Sequence, residues 1–168
     1  MIMVVILWKE CDVRMFRRSW RYLFPLIFLA ILFVVTIVVE TAEPKPIVFG
    51  GALPLTGWGA DAGNYNKQGY ELWAEKVNES GGLLGRPVKL LIYDDQSDPT
   101  TTARLYEKLI TQDKVDVLLP PWSDDMTMPA TTVTEKYKKP MVTGGATLTK
   151  IWTRGYKYVC GTLPSSYD

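Results

Sequence analysis

The densest cluster of groups able to do chemistry lies in "YDDQSDPTTT", where Asp94, Asp95 and Asp98 set three carboxylates within five residues. Three further stretches offer polar or bare backbone groups: "PLTGWGADAG", with Gly57, Gly59 and Gly63; "PPWSDD", with Ser123; and "GGATLT", with Gly144, Gly145, Thr147 and Thr149. The chain has no histidine, which excludes Ser-His-Asp and Cys-His nucleophilic catalysis and the commonest zinc ligand sets. The acidic run lacks the alternating oxygen ligands and central glycine of a calcium loop, so no metal is expected there. Its residue types fit a helix start instead. Ser97 or Asp98 can accept from orphan helix N–H groups, Pro99 suits the first helical position, and the carboxylates favour the positive end of the helix dipole.

"GWGADAG" followed by an acidic strand end has some features of a dinucleotide-binding turn. Its spacing is G-x-G-x-x-x-G, however, with Trp58 where the backbone would approach pyrophosphate and Asp61 placed to repel it. A dinucleotide-dependent α/β enzyme is therefore a rival reading, and no cofactor is expected. The other two loops suit a carboxylate better. Ser123 supplies a hydroxyl at a helix start, where the plain alternative is a cap. Gly144 and Gly145 permit close backbone approach, and Thr147 adds an uncharged donor, where the plain alternative is a turn. Trp58 and Trp122 are able to line a pocket or to serve packing alone.

The elements that must position these loops follow from hydrophobic periodicity. Short apolar runs predict strands at Ile47 to Leu53, Val88 to Tyr93, Val115 to Leu119, Pro140 to Thr143 and Tyr156 to Cys160. Helices are expected from about Gly63 to Glu79, with Tyr65, Gly69, Trp73 and Val77 on one face and Leu72 beside them, from Pro99 to about Gln112, and near Pro129 to Tyr137. Alternation of this kind predicts right-handed crossovers and a parallel sheet covered on both faces, an α/β class. In such a sheet ligands sit beyond the carboxyl ends of the strands, where the candidate loops lie. The loops after the third and fourth strands would then be neighbours and form a neutral carboxylate cradle.

Ahead of this part, residues 1–21 form a basic leader with Arg17, Arg18 and Arg21, and residues 22–39 are apolar apart from Pro25 and Thr36. That is an export signal or a transmembrane anchor, and the positive flank directs everything after the linker at 40–46 out of the cytoplasm. With 168 residues and a formal net charge of +1, one domain and no nucleic-acid partner are expected. Cys11 and Cys160 fall on opposite sides of the apolar segment, so no structural disulfide is expected. The sequon Asn78-Glu79-Ser80 sits at a helix end, where chance explains it.

From Ile47 onward the pieces "LTG", "QG", "NESGGLLGR", "DDQSDP" and "ATL" occur in an order that resembles the amino-terminal lobe of type I periplasmic binding proteins, in the branched-chain amino-acid-binding (leucine, isoleucine, valine) subgroup of ABC importers. The resemblance implies a doubly wound parallel sheet of strand order 2-1-3-4-5 over residues 47–168. It also implies a non-enzymatic solute-binding protein outside the cytoplasm that binds an amino acid or related carboxylate or amide and delivers it to a permease. By position, Ser123, Gly145, Ala146 and Thr147 would hold the ligand carboxylate, with Trp122 and Trp58 beside its side chain. "PPW" stands where the family more usually has Gly-Pro. The chain stops at "GTLPSSYD", about where the crossover to the second lobe would leave, so the second lobe is expected to be absent. A membrane-anchored sensor ectodomain would use the same lobe.

Overall fold

The computed structural model describes residues 44–163 and, ahead of them, Phe28. The basic leader, the apolar segment and the linker up to residue 43 lie outside the described residues. Among the described residues no helix is long and apolar enough to cross a membrane.

Strand β1 (Ile47–Leu53) alternates its side chains between two cores. Ile47 and Phe49 point to one face, where they meet Val88, Leu119 and Ala74, with Tyr70 and Val77 packed alongside. Val48 and Ala52 point to the other, among Tyr106, Leu109, Val115, Leu118, Ala130 and Met141. A strand buried on both faces needs helices on both sides, and the chain supplies them. Helix α1 (Ala60–Glu79) covers the first face, and helices α2 (Pro99–Thr111) and α3 (Asp124–Tyr137) cover the second.

The remaining strands are β2 (Val88–Asp94), β3 (Val117–Leu118), β4 (Met141–Thr143) and β5 (Val159–Gly161), with a one-turn helix α4 (Thr149–Trp152) between the last two. All pairings are parallel and the sheet order is β2-β1-β3-β4-β5, the α/β doubly wound order expected from the resemblance. The order reverses beside β1, so the loops after β1 and β3 diverge from one point.

Several boundaries differ from the sequence expectation for identifiable reasons. β3 has two paired residues rather than five because Asp116 replaces the ladder: its carboxylate accepts from the Val48 N–H at 2.8 Å, while its own N–H donates to the Val48 carbonyl at 2.9 Å. Helix α3 begins at Asp124, ahead of Pro129, which lies inside the helix. The inward face of α1 carries Gly63, Tyr70, Ala74 and Val77; Tyr65, Gly69 and Leu72, which periodicity placed inside, are exposed. Gly63 explains that rotation. A Cβ there would stand 2.1 Å from the Pro54 carbonyl oxygen, so only glycine lets the helix start lie against the end of β1. Asn78 spends both ends of its side-chain amide on the Val88 backbone, at 2.7 and 3.0 Å, tying the end of α1 to the start of β2.

Gly63→Ala should therefore destabilise the fold by about 1–3 kcal/mol, the usual cost of an overpacked site. Urea unfolding followed by circular dichroism measures it, and an unchanged midpoint would contradict the close approach.

Candidate ligand-binding site

Three loops meet at the carboxyl ends of the strands. After β1, residues 54–59 run into α1; after β3, Pro120 to Ser123 run into α3; after β4, Gly144 to Leu148 run into α4. The Trp58 and Trp122 rings lie 5.6 Å apart at a 54° tilt, and Trp122 rests against Gly59. Gly145 lies beside the Trp122 and Ser123 backbone, where a Cβ would be 3.8 Å from the Ser123 nitrogen. Ser123, Gly145, Trp122 and Trp58 thus share one end of the sheet.

Each loop is held by specific bonds. The β3 loop opens with two prolines that lack N–H groups, so its carbonyls are fixed from outside: the Tyr106 hydroxyl donates to the Leu119 carbonyl at 2.5 Å and the Tyr70 hydroxyl to the Pro120 carbonyl at 3.2 Å. Burial pushes the Tyr70 phenol up to about 12 and Tyr106 well above its ordinary value, so both remain donors at neutral pH. The β4 loop is held by Asp124, whose carboxylate accepts from the Thr147 N–H at 2.7 Å and the Leu148 N–H at 2.9 Å. The Thr147 N–H is therefore committed within the lobe, and Ala146 is fully buried. Gly145 is half-exposed.

Ser123 departs from a plain helix cap. It precedes α3 with φ +74°, an uncommon conformation for a non-glycine residue, and its side chain makes no capping bond. Its hydroxyl oxygen is buried and has no hydrogen-bond partner. The Thr127 hydroxyl and N–H instead go to the Ser123 carbonyl, at 2.6 and 3.1 Å. A buried polar atom without a partner costs stability, and no group among the described residues offsets that cost at Ser123.

The acidic turn proves to be the clasp of the first loop. Asp94 accepts from the Leu55 N–H, the Thr56 N–H and hydroxyl, and the Gln96 N–H at 2.7 to 3.2 Å. The Ser97 hydroxyl donates to the Thr56 carbonyl at 2.7 Å and accepts from the Gly59 N–H at 3.0 Å, and the Trp58 indole donates to the Ser97 carbonyl at 3.2 Å. Asp98 caps α2 by accepting from the Thr101 N–H at 2.6 Å. Sequence reasoning found the cap but missed the clasp, which joins residues about forty positions apart. The same clasp fills the turn a dinucleotide would need, since Ser97 lies within 2.7 Å of where a Cβ on Gly57 would be.

Among the described residues, surface clefts away from these loops include one lined by Arg104, Lys108 and Tyr137 and one by Asn78 and Gly82, while another, lined by Thr100, Met128, Asp124 and Leu148, adjoins the β4 loop. No group of acidic, cysteine or histidine side chains able to hold a metal occurs among the described residues.

Residues 46–168 match the sequence profile described as periplasmic binding protein. The chain belongs to that family. Its fold is the type I lobe, and its similarities fall in the branched-chain amino-acid-binding subgroup. It is 32% identical over 110 residues to the leucine-, isoleucine-, valine-, threonine-, and alanine-binding protein of Pseudomonas aeruginosa, covering 66% of this chain and 29% of that protein. To the Leu/Ile/Val-binding protein of Escherichia coli K12 it is 26% identical over 127 residues, 76% of this chain and 34% of the relative. Among solved structures it superposes with TM-score 0.68 and 25% identity on LivJ from Streptococcus pneumoniae in complex with isoleucine, over 72% of this chain and 34% of that one. A solute binding protein of an ABC transporter from R. palustris in complex with benzoate gives TM-score 0.63 and 27% identity, over 72% and 33%. The chain thus spans about a third of the length of these proteins. Membership in a family of binding proteins displaces the dinucleotide-enzyme reading.

Asp94 and Asp95 should respond to pH with opposite sign. For Asp94, partial desolvation pushes the carboxyl up, but the bonds from Thr56, Gln96 and Leu55 outweigh it and hold it below the usual range. For Asp95, burial pushes the carboxyl up more than the Ser97 and Thr102 bonds lower it, and Asp94 and Asp98 add to the rise. Asp94 therefore contributes stability above the ordinary carboxyl value of about 4 that is lost as pH falls through its lowered value, whereas Asp95 contributes stability in acid that is lost as pH rises from about 4 through its raised value. Urea unfolding across this range should show a shallower acid loss for Asp94→Asn and a steeper one for Asp95→Asn. Parallel profiles for both variants would refute the assignment.

Proposed function

We propose that this lobe is part of an extracytoplasmic solute-binding protein of an ABC importer, and that it captures an amino acid of the branched-chain type. The observation that carries the reading is the buried Ser123 hydroxyl, left without a partner beside Gly145 and the Trp58–Trp122 pair at the end of a type I sheet. A ligand carboxylate would complete the Ser123 hydrogen bond and take the N–H groups that the first turn of α3 leaves over. The indoles would cover an apolar side chain. Asp124 and Asp125, at the start of α3, set negative charge within two residues of the hydroxyl, which suits a ligand bearing an ammonium better than a bare anion. Relatives named for leucine, isoleucine and valine binding support that class. Of the residues weighed from sequence, Ser123, Gly145, Trp122 and Trp58 are proposed as direct contacts. Thr147 is proposed to act through its hydroxyl, and Ala146 through packing beneath the loop.

The face is open, with Trp58 64% exposed, so we further propose that a second surface closes over the ligand and that a permease receives it. Binding between two surfaces expels water from both and draws affinity from each. Residues 1–39 are proposed to export or anchor the chain.

Isothermal titration with leucine, isoleucine and valine tests the reading in the protein that contains this lobe. Ser123→Ala should weaken binding by about 1.5–3 kcal/mol, the range for a hydrogen bond to a charged group, or roughly ten- to more than a hundredfold. It should not lower unfolding stability, because the hydroxyl satisfies nothing in the empty lobe. Unchanged affinity would remove Ser123 from the site.

A further inference from the structure

The end of the lobe opposite the candidate site carries a charge pattern that the fold does not use. All five strands run parallel and so begin at one end. Each begins two or three residues after a cation: Lys45 before β1, Arg86 before β2, Lys114 before β3, Lys139 before β4 and Lys157 before β5. Lys138 adds another, and among the described residues none of these is ion-paired. The carboxylates at this end are largely taken up: Asp113 pairs with Lys108, and Glu135 accepts from the Lys157 and Tyr158 N–H groups. Asp116 lies among an excess of cations, near Arg86, Lys45 and Lys139. The other end carries Asp94, Asp98, Asp124 and Asp125 instead.

An apolar tip projects among these cations. Leu83 and Arg86 exchange backbone bonds at 2.8 and 3.1 Å and close a two-residue hairpin turn over Leu84 and Gly85, with φ of 54° and 73°. A leucine is uncommon in that conformation, and Leu84 is 89% exposed. The helix dipole favours cations where helices end, but it gives no reason for a leucine at the tip. Arg86 also donates to the Lys45 carbonyl at 2.7 Å and the Pro46 carbonyl at 3.3 Å, so the tip lies beside the point where the chain enters β1. Ahead of that point the sequence has the apolar residues 22–39 and the linker 40–46, which spans at most about 25 Å. In a chain anchored through residues 22–39, this end is the part of the lobe tethered nearest the bilayer.

We propose that the amino-terminal end of the sheet docks on an anionic lipid bilayer, with Leu84 among the headgroups and the lysines and Arg86 over the lipid phosphates. Basic residues near an anionic surface add their attractions, which salt weakens. An apolar side chain flanked by basic ones suits the boundary between headgroups and acyl chains. The choice of occupant rests on the anchor reading of residues 22–39.

Fluorescence in the full chain tests it. With Cys11→Ser and Cys160→Ser in place, Leu84→Cys carries an environment-sensitive dye, and the protein is mixed with vesicles of phosphatidylcholine, alone or with phosphatidylglycerol. Emission should shift to the blue with the anionic vesicles and return towards its aqueous value as salt is raised. A dye on Asp61→Cys, at the other end of α1, should stay aqueous. Lys114→Gln, Lys138→Gln and Lys157→Gln together should reduce the shift several-fold at an unchanged thermal midpoint. Flotation with pure phosphatidylcholine reports the anchor separately. A Leu84→Cys dye that stays aqueous on anionic vesicles with which the chain floats overturns the docking and leaves the anchor; a shift there in a chain that does not float with phosphatidylcholine upholds the docking without the anchor. An equal shift in both lipids or at both dye positions would overturn the proposal, as would a shift given by an oligonucleotide and not by vesicles, which would assign the face to a nucleic acid.

Discussion

The carboxylate of Asp94 is the point on which the arrangement of loops depends. It stands at the end of β2, one strand removed from where the strand order reverses, yet its bonds reach across to the loop that leaves β1. A loop of small and polar residues has no core of its own to hold it, and conformational entropy would otherwise spread it over many states. Receiving four donors on one side chain fixes Leu55 and Thr56, and Ser97 fixes Gly59 and Trp58 in turn. Trp58 then has a defined place against Trp122.

The same principle operates at the other two loops with different chemistry. Tyr70 and Tyr106 reach from α1 and α2 to hold carbonyls at the end of β3, and Asp124 reaches from α3 to hold amides after β4. In each case a side chain on a rigid helix or strand end makes the bond that the loop cannot make internally. The loops are thereby set in place before anything binds, which reduces the ordering cost of binding.

Much of this was legible in the sequence, and the remainder was hidden for physical reasons. β1 and the N-cap of α2 are visible because their signals are local: an apolar run bounded by proline, and Asp98-Pro99 before a periodic stretch. The phase of α1 was not, because Tyr65 and Leu72 offer a second apolar face beside the one formed by Tyr70, Ala74 and Val77; the choice is made by the contact of Gly63 with Pro54, which no periodicity encodes. The short pairing of β3 depends on Asp116 standing in for backbone, and the clasp of Asp94 on residues remote in sequence. Ser123 was visible as a hydroxyl in the right loop, but not as a residue with positive φ and an unpaired oxygen.

That last feature bears on how such a lobe evolves. A left-handed serine with an unsatisfied hydroxyl is a local fault at this end of the sheet, as the unpartnered Asp95 Oδ2 is, and a glycine at position 123 would relieve both of the serine's defects at once. Selection for robustness alone would remove it. Its presence marks a position where the lobe forgoes some stability, so a screen that rewards only heat resistance would tend to erase the feature that makes this end of the sheet distinctive.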